Sequence, residues 1–166
     1  MFRPMRRSRQ ALDKKECVQI LERGTAGVLA LLGDEGYPYG VPISYVYADG
    51  RLYFHCAKSG HKLDALRRYE KASFCVIDQD EIVQEKFTTY FLSVIAFGKI
   101  HEIKDDHQKR EAIEKLALKY APDQSESQRN AEIVREWKPL CLLEMNIEHL
   151  SGKEAIELVR ARTQSI

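Results

Sequence analysis

The sequence predicts a mainly β protein in which six antiparallel strands form a closed or partly closed barrel with helices at its periphery. Three strands follow one another between Gly27 and Cys56, separated by tight turns at 33–36 and 49–50. A later apolar stretch, FTTYFLSVIAFGKIHEI from Phe87, exceeds the usual strand length of about 3 to 10 residues. Such a strand has to bend, as strands of small barrels do.

A helix from about residue 13 leads into the first of these strands. Asp13 is placed to cap the helix together with Glu16, and Gly24 ends it. The residues 27–32, GVLALL, form an apolar run too short for a helix, so we expect a strand buried on both faces. The face that the helix buries is predicted to contain Cys17, Ile20 and Leu21.

The second strand, 37–47, alternates in side-chain character but contains a proline. Because Pro42 cannot donate a ladder hydrogen bond, it belongs on an edge strand, at a bulge, or where the backbone faces something other than a strand. The third strand, Arg51–Cys56, follows the hairpin signal Asp49-Gly50. The elements expected next are a short helix to Arg68, a strand at 72–78, a charged connection DQDEIVQEKFT, and the long strand with a bulge at Gly98. Two helices separated by 121–123 and a sixth strand at 140–147 follow, and a charged tail at 151–166 is expected at the surface or at an interface.

Composition excludes several classes of function. The 26 Lys and Arg nearly balance the 25 Asp and Glu, so the net charge of +1 gives no reason to expect a nucleic-acid partner for the whole domain. No apolar run approaches the roughly 20 residues of a membrane span, and no signal-peptide-type segment follows the N-terminal residues. We therefore expect one domain over residues 1–166, cytoplasmic and without a membrane partner.

Basic residues are concentrated in an N-terminal arm, residues 1–12, which contains four arginines. An arm of this kind can bind nucleic acid, belong to a transit peptide or pack on a partner subunit, and we favour the last. The cysteines are scattered without CxxC pairs, so we expect reduced thiols in or near the core and no metal site. They are Cys17, Cys56, Cys75 and Cys141.

The stretch YFHCAKSGHKLDALRR, from Tyr53 to Arg68, carries the chemistry that the sequence suggests. It runs from a strand through a small-residue loop into a helix, and a helix N-terminus attracts anions. His61 and Lys62 lie in the first turn, where the helix dipole disfavours positive side chains unless an anion is bound. His55 precedes the loop and is either a half-buried structural imidazole or a group that faces the neighbourhood of the anion.

The order of these motifs resembles the pyridoxamine 5'-phosphate oxidase-like flavin-binding split barrels. HCAKSGHKLDALRR is preceded by VPISYVY and followed by SVIAFGKI, as in that group. The similarity to its 5-nitroimidazole reductase (Nim) branch extends to Arg23-Gly24-Thr25 at the first strand and to SGKE at 151–154. The resemblance covers roughly Arg23 to Glu154 and implies a six-stranded antiparallel split barrel that binds FMN.

The resemblance also implies roles for particular residues. His61 and Lys62 correspond to the basic pair that binds the FMN phosphate, and the loop around them comprises Ala57, Ser59 and Gly60. His55 and Cys56 correspond to the strand-end pair beside the flavin ring, with His55 as the candidate catalytic residue. Ser93 corresponds to a polar residue that reaches the cofactor. The strand along the ring edge corresponds to Val41, Pro42, Ile43 and Ser44.

Two departures from the family limit the functional expectation. Leu92 stands where relatives often have a basic residue, and no segment matches the one with which true pyridoxamine phosphate oxidases hold their substrate. The resemblance therefore implies a homodimeric FMN oxidoreductase that reduces a nitroaromatic or other small oxidised compound, with a reduced nicotinamide as donor. The alternatives are a non-catalytic flavin, haem or deazaflavin carrier or sensor on the same barrel, and an interaction protein without a cofactor.

Overall fold

A computed structural model describes residues 1–164 of the chain. All the long strands belong to one antiparallel sheet, and five helices lie around it. The strands are β1 (Ala11–Leu12), β2 (Ala26–Leu32), β3 (Pro38–Ser44), β4 (Val46–Ala48), β5 (Arg51–Ala57), β6 (Lys71–Val83), β7 (Thr88–Glu102) and β8 (Leu140–Glu154). The helices are α1 (Lys14–Arg23), α2 (His61–Arg68), α3 (Asp106–Tyr120), α4 (Glu126–Glu136) and α5 (Ile156–Gln164).

The strand order is β3-β2-β6-β7-β8-β5-β4, and β1 pairs with the far end of β8. Six of the strands have seven residues or more, as the sequence predicts, and two short ones complete the sheet. The sheet curls into a barrel that is split between β3 and β4, the two strands at its edges. Pro42 lies in β3, so its interpretation as an edge-strand proline is confirmed.

The prediction of one continuous strand over 37–47 is wrong, because the chain breaks at Tyr45 and passes from one edge of the sheet to the other. Tyr45 is fully buried, and its hydroxyl donates to the Leu21 carbonyl at 2.9 Å. Its backbone N–H donates to the Tyr120 hydroxyl at 2.9 Å instead of to a strand. Tertiary contacts with α1 and α3 therefore replace the ladder at this residue.

The charged connection predicted at DQDEIVQEKFT is largely strand. β6 continues to Val83 because β7 offers it a ladder along its whole length, and only a short turn joins the two. The register shifts at Ile77/Gln79 on this pair and at Phe97/Gly98 on the pair of β7 with β8. The predicted bulge at Gly98 is therefore confirmed, and a Cβ there would collide with the Asn146 carbonyl oxygen.

The predicted surface tail is also wrong in its first part. Ser151 to Glu154 continue β8, where they pair with β7 and β1, and α5 follows. Gly152 lies so close to α1 that a Cβ there would overlap the Cys17 sulfur. The end of the predicted tail, residues 165–166, lies outside the described residues.

Side chains alternate along β2, which contradicts the expectation that both faces of this strand are buried. Leu29 and Leu31 point into the core, whereas Val28 and Leu32 remain exposed. This is the normal pattern of an antiparallel strand with one face on the core. The apolar residues on its outer face therefore form part of the protein surface.

Two apolar clusters hold the sheet and helices together. The inner cluster fills the barrel and includes the face of α1 that the sequence predicts, with Cys17, Ile20 and Leu21 buried. The predicted capping box of Asp13 and Glu16 is present at the start of α1. The smaller cluster packs α3 on the outer face of β5 and β8, through Ala112, Leu116, Tyr53 and Leu142 among others.

The N-terminal arm contacts its own barrel. The Phe2 ring lies 4.5 Å from the His149 ring and 5.5 Å from the Phe97 ring, measured between centroids. Gln10 is buried and donates to the Glu154 carbonyl at 2.8 Å. Packing of the arm on a partner subunit stays a prediction.

Candidate functional site

The loop between β5 and α2 opens the helix without a side-chain cap. Gly60 takes φ +129° and ψ 166°, a conformation that favours glycine, and its carbonyl accepts from the N–H groups of Leu63 and Asp64 at 2.9 and 3.2 Å. No side chain caps the helix start. Free N–H groups at such an end are suited to an anionic ligand.

His61 has partners within its own chain. Its ring stacks on Tyr39 with centroids 4.0 Å apart, and its Nε2 lies 3.4 Å from the Asp34 carboxylate. Arg68 also donates to Asp34 at 2.6 Å, and this hydrogen bond lowers the pKa of Asp34. A carboxylate of the protein therefore supplies part of the negative charge that the first turn of α2 requires.

Lys62 differs from His61 because it forms no salt bridge within residues 1–164. Its positive charge acts on the end of β5, where it favours the neutral form of His55 and the thiolate form of Cys56. For His55, partial burial is the larger cause and acts in the same direction, so its lowered pKa favours the neutral imidazole. For Cys56, burial outweighs the effect of Lys62 and raises the pKa of the thiol. The site thus combines a neutral imidazole and a thiol with a nearby ammonium group.

A pocket of about 970 Å³ lies between the end of β5 and the helix pair α3–α4. One wall contains Ser44, His55, Cys56 and Ala57. The opposite wall is mainly apolar, with Ile113, Leu116, Ala117 and Ile133, and polar side chains of α4 line its rim. This volume is at the upper end of the roughly 300 to 1,000 Å³ typical of small-ligand sites.

The strand period places His55 opposite the inner face of β5, and the structure confirms this. Leu52 and Phe54 are fully buried in the barrel, whereas His55 lies on the outer face towards the pocket. The role of His55, structural or facing a ligand, stays a prediction. The position leaves both ring nitrogens of His55 available for a ligand, since no hydrogen bond to His55 occurs within residues 1–164.

The other predicted site residues are spread along the barrel. Val41 to Ile43 continue along the β3 edge from Ser44, and His61 lies near the β2–β3 turn, beside Tyr39. Ser93 pairs with Lys153 of β8, about eleven residues along that strand from Leu142, the partner of His55. One chain therefore brings Ser44, His55, Cys56 and Ala57 together but leaves Ser93 on a different part of the sheet.

A family model for pyridoxamine 5'-phosphate oxidase matches residues 13–154 of the chain. The chain belongs to this family. The match begins at the cap of α1 and ends with β8, so it includes the whole sheet except β1, which belongs to the arm. No curated protein matches the sequence.

Solved structures have the same split-barrel fold. A candidate 5-nitroimidazole antibiotic resistance protein from Bacteroides thetaiotaomicron is 24% identical over 87% of this chain and 86% of its own, with a TM-score of 0.74. An FAD-binding protein from Mesorhizobium loti is 26% identical over 88% of this chain and 97% of its own, with a TM-score of 0.64. An FAD- and haem-binding protein from Mycobacterium smegmatis is 22% identical over 89% and 73%, with a TM-score of 0.72.

In this member of the pyridoxamine 5'-phosphate oxidase family, the helices inserted between β7 and β8 contribute pocket residues that sequence reasoning missed. The sequence predicts two helices here, but no local signal indicates that α3 and α4 close over the end of β5. The hydrogen bond from the Tyr45 backbone to Tyr120 fixes the end of α3 there, and Lys119 donates to the Gly24 carbonyl. The signal that could indicate these pocket residues is the long connection between β7 and β8, because its two helices have to return the chain to β8 beside β5.

The remaining histidines form no metal centre. His101 Nε2 lies 3.7 Å from Glu144, His107 lies 3.6 Å from Glu111, and His149 stacks on Phe2. Within residues 1–164, no group of three or more His, Cys, Asp or Glu side chains is arranged to hold a metal ion. In the same part of the chain, no helix has the length and apolar character needed to cross a membrane.

Proposed function

We propose that this family member binds FMN where β5 passes into α2 and uses it to reduce a nitroaromatic or similar small oxidised compound. The observation that carries the proposal is the pocket lined by Ser44, His55, Cys56 and Ala57, after which the chain continues into the uncapped start of α2. Lys62 in that first turn influences the pKa of His55. Family membership supports a flavin in general. The FAD-binding relative and the candidate nitroimidazole resistance relative support the cofactor class and the substrate class respectively.

The residues around the helix start fit a phosphate group. Lys62 has no carboxylate partner within residues 1–164, Ser59 offers a hydroxyl, and Gly60 allows the backbone to approach closely. No atom within 4 Å would meet a Cβ at Gly60, which leaves open space above the loop. In this proposal His61 completes the phosphate anchor, and its imidazole contacts both the Asp34 carboxylate and the ligand.

The ring of the cofactor is proposed to lie against the β3 edge, Val41 to Ser44, and the end of β5. Pro42 has no N–H to leave unpaired at that edge, which suits a flat ligand rather than another strand. When bound, the flavin supplies the hydride chemistry. His55 is proposed to orient the acceptor by donating a hydrogen bond from its neutral imidazole to a nitro or carboxylate oxygen.

The active unit is proposed to be a homodimer. Apolar side chains exposed on the sheet, such as Val28, Leu32 and Ile77, are the type of surface that a second copy covers. The distance of Ser93 from His55 along the sheet supports a composite site, because a partner subunit could bring its own Ser93 to the pocket. The alternative proposal is that the protein is not catalytic and that the same site binds flavin or haem in a carrier or sensor.

The test begins with the absorption spectrum of the purified protein, followed by titration with FMN, FAD and haem. We expect flavin bands and tighter binding of FMN than of riboflavin, because the phosphate meets Lys62. The flavin-loaded protein is then mixed anaerobically with NADH or NADPH and a nitroimidazole, and reoxidation of the flavin is followed by stopped flow.

Each result has a distinct meaning. Rapid reoxidation by the nitro compound supports a reductase. Flavin binding without reduction by either nicotinamide, or without transfer to the acceptor, supports the carrier. A Soret band with no flavin affinity would overturn the proposal in favour of a haem protein.

A further inference from the structure

The inner face of the barrel carries a pair of cysteines that sequence spacing does not reveal. Cys56 of β5 and Cys141 of β8 are direct partners in the antiparallel register. Residues opposite each other on such strands point to the same face, with Cα atoms about 4.5 or 5.5 Å apart. Both separations lie within the range of about 4.4 to 6.8 Å that a disulfide spans. The backbone is therefore already arranged for a disulfide.

The side chains are close as well. Cys141 is buried in the inner cluster, and the partly buried Cys56 packs against that cluster. The two thiols are near enough for each to influence the pKa of the other. The other cysteines lie elsewhere: Cys17 is on α1 beside Gly152, and Cys75 is on β6 opposite Ile95. All four thiols are free.

The two thiols differ in access. Cys56 is only partly buried and lies at the end of β5, where the strand borders the pocket. Cys141 is only 7% exposed, and its sulfur lies 3.8 Å from the Glu102 carboxylate. A reagent therefore meets Cys56 first, and Cys141 is the thiol that can complete the reaction.

We propose that Cys56 and Cys141 are an oxidisable dithiol, a redox modification site in the wall of the pocket. The oxidant is a small organic disulfide. The Cys56 thiolate attacks one sulfur of this disulfide and displaces one thiolate, which takes up a proton. Cys141 then gives up its proton and attacks the Cys56 sulfur, which displaces the second thiolate. In total, two protein thiols become one protein disulfide, and one small disulfide becomes two small thiols.

Oxidation links β5 to β8 directly behind His55. The bond closes a loop of about 85 residues, and a loop of this length strongly constrains the unfolded chain. The oxidised protein is therefore expected to melt at a higher temperature than the reduced one. This site requires no flavin, so it stands whether or not the proposed cofactor binds.

The test uses the folded, full-length protein with oxidised β-mercaptoethanol as the probe. Burial raises the pKa of Cys141 to about 12 and also raises that of Cys56, while Lys62 and Arg67 lower the latter and Glu102 raises it. The reaction is therefore run at mildly alkaline pH, where more thiolate forms. Proteolysis without reduction, followed by mass spectrometry, identifies linked peptides.

We expect a peptide pair joined through Cys56 and Cys141 and lighter by two hydrogen atoms than the reduced peptides. Dithiothreitol should reverse the change, and the matched control, Cys17→Ser with Cys75→Ser, should leave it intact. Cys56→Ser should abolish it while circular dichroism verifies the fold. Four free thiols in the folded protein after prolonged oxidation, or linkage through Cys75 of two molecules instead, would overturn the proposal.

Discussion

At the scale of single residues, the alternation of β5 decides the character of the candidate site. Phe54 and Cys56 point into the barrel, so His55 between them points outwards to the pocket. The same alternation brings Cys56 opposite Cys141. Two neighbouring residues of one strand thus serve two chemically different environments.

His55→Ala should keep the flavin but reduce nitro-compound reduction at least about tenfold, which corresponds to roughly 1.4 kcal/mol in the transition state. The reason is that the substitution removes a donor to the acceptor without touching the phosphate anchor. The measurements are flavin occupancy, thermal midpoint and stopped-flow reoxidation on one preparation. His101→Ala, a strand histidine outside the pocket, is the matched control. Flavin loss with an unchanged rate per bound flavin would make His55 structural.

The lowered pKa of His55 predicts a pH effect on stability. An imidazole that is harder to protonate in the folded protein stabilises the fold fully above its unfolded pKa of about 6.5. This contribution declines as the pH falls through that value towards the folded pKa. In denaturant titrations, wild type should therefore lose stability relative to His55→Gln on acidification below about pH 6.5. Parallel stability curves throughout would contradict the direction of the shift.

Lys62→Ala should weaken FMN binding by about 1 to 3 kcal/mol, the scale of a charge-assisted hydrogen bond. Riboflavin has no phosphate, so its affinity should scarcely change. Fluorescence titration measures both affinities. Lys14→Ala replaces a lysine in the first turn of a different helix, α1, and should leave both affinities as in wild type. Equal losses for FMN and riboflavin would place the phosphate elsewhere.

At the scale of elements, the sequence predicts those features that depend only on residues close together in the chain. The α1 capping box depends on Asp13 and Glu16 alone, and the bulge depends on Gly98, so both could be predicted from the sequence. The break at Tyr45 could not, because it depends on Tyr120, seventy-five residues away. The strand through DQDEIV was likewise missed, since only pairing with β7 offsets its weak intrinsic preference.

Gly98→Ala should destabilise the fold by about 1 to 3 kcal/mol, the range for overpacking at a closely packed position. The added methyl group would meet the Asn146 carbonyl of the paired strand, so β7 or β8 has to move. Urea unfolding measures the change. Gly40→Ala is the matched control, because the nearest atom to its Cβ is Cγ1 of the exposed Val28 side chain at 3.3 Å. Similar effects at both positions would show that the bulge tolerates a side chain.

At the scale of the whole molecule, the exposed apolar surface predicts self-association. Light scattering should give a dimer at micromolar concentration, and Ile77→Lys should shift it towards the monomer, because Ile77 is 65% exposed on the sheet. Val134→Lys, at a similarly exposed position on α4, is the matched control and should leave the dimer intact. A stable, flavin-loaded monomer of the wild-type protein would exclude the composite site.

The pocket between β5 and the pair α3–α4 has two walls of different origin. One belongs to the barrel and leads directly into the helix start at Gly60, whereas the other is an insertion between β7 and β8. The insertion contributes few residues to the inner core, so its sequence can drift without unfolding the barrel. Natural selection, or a protein engineer, could thus exchange the helical wall to accept a new compound while the junction of β5 and α2 is inherited unchanged.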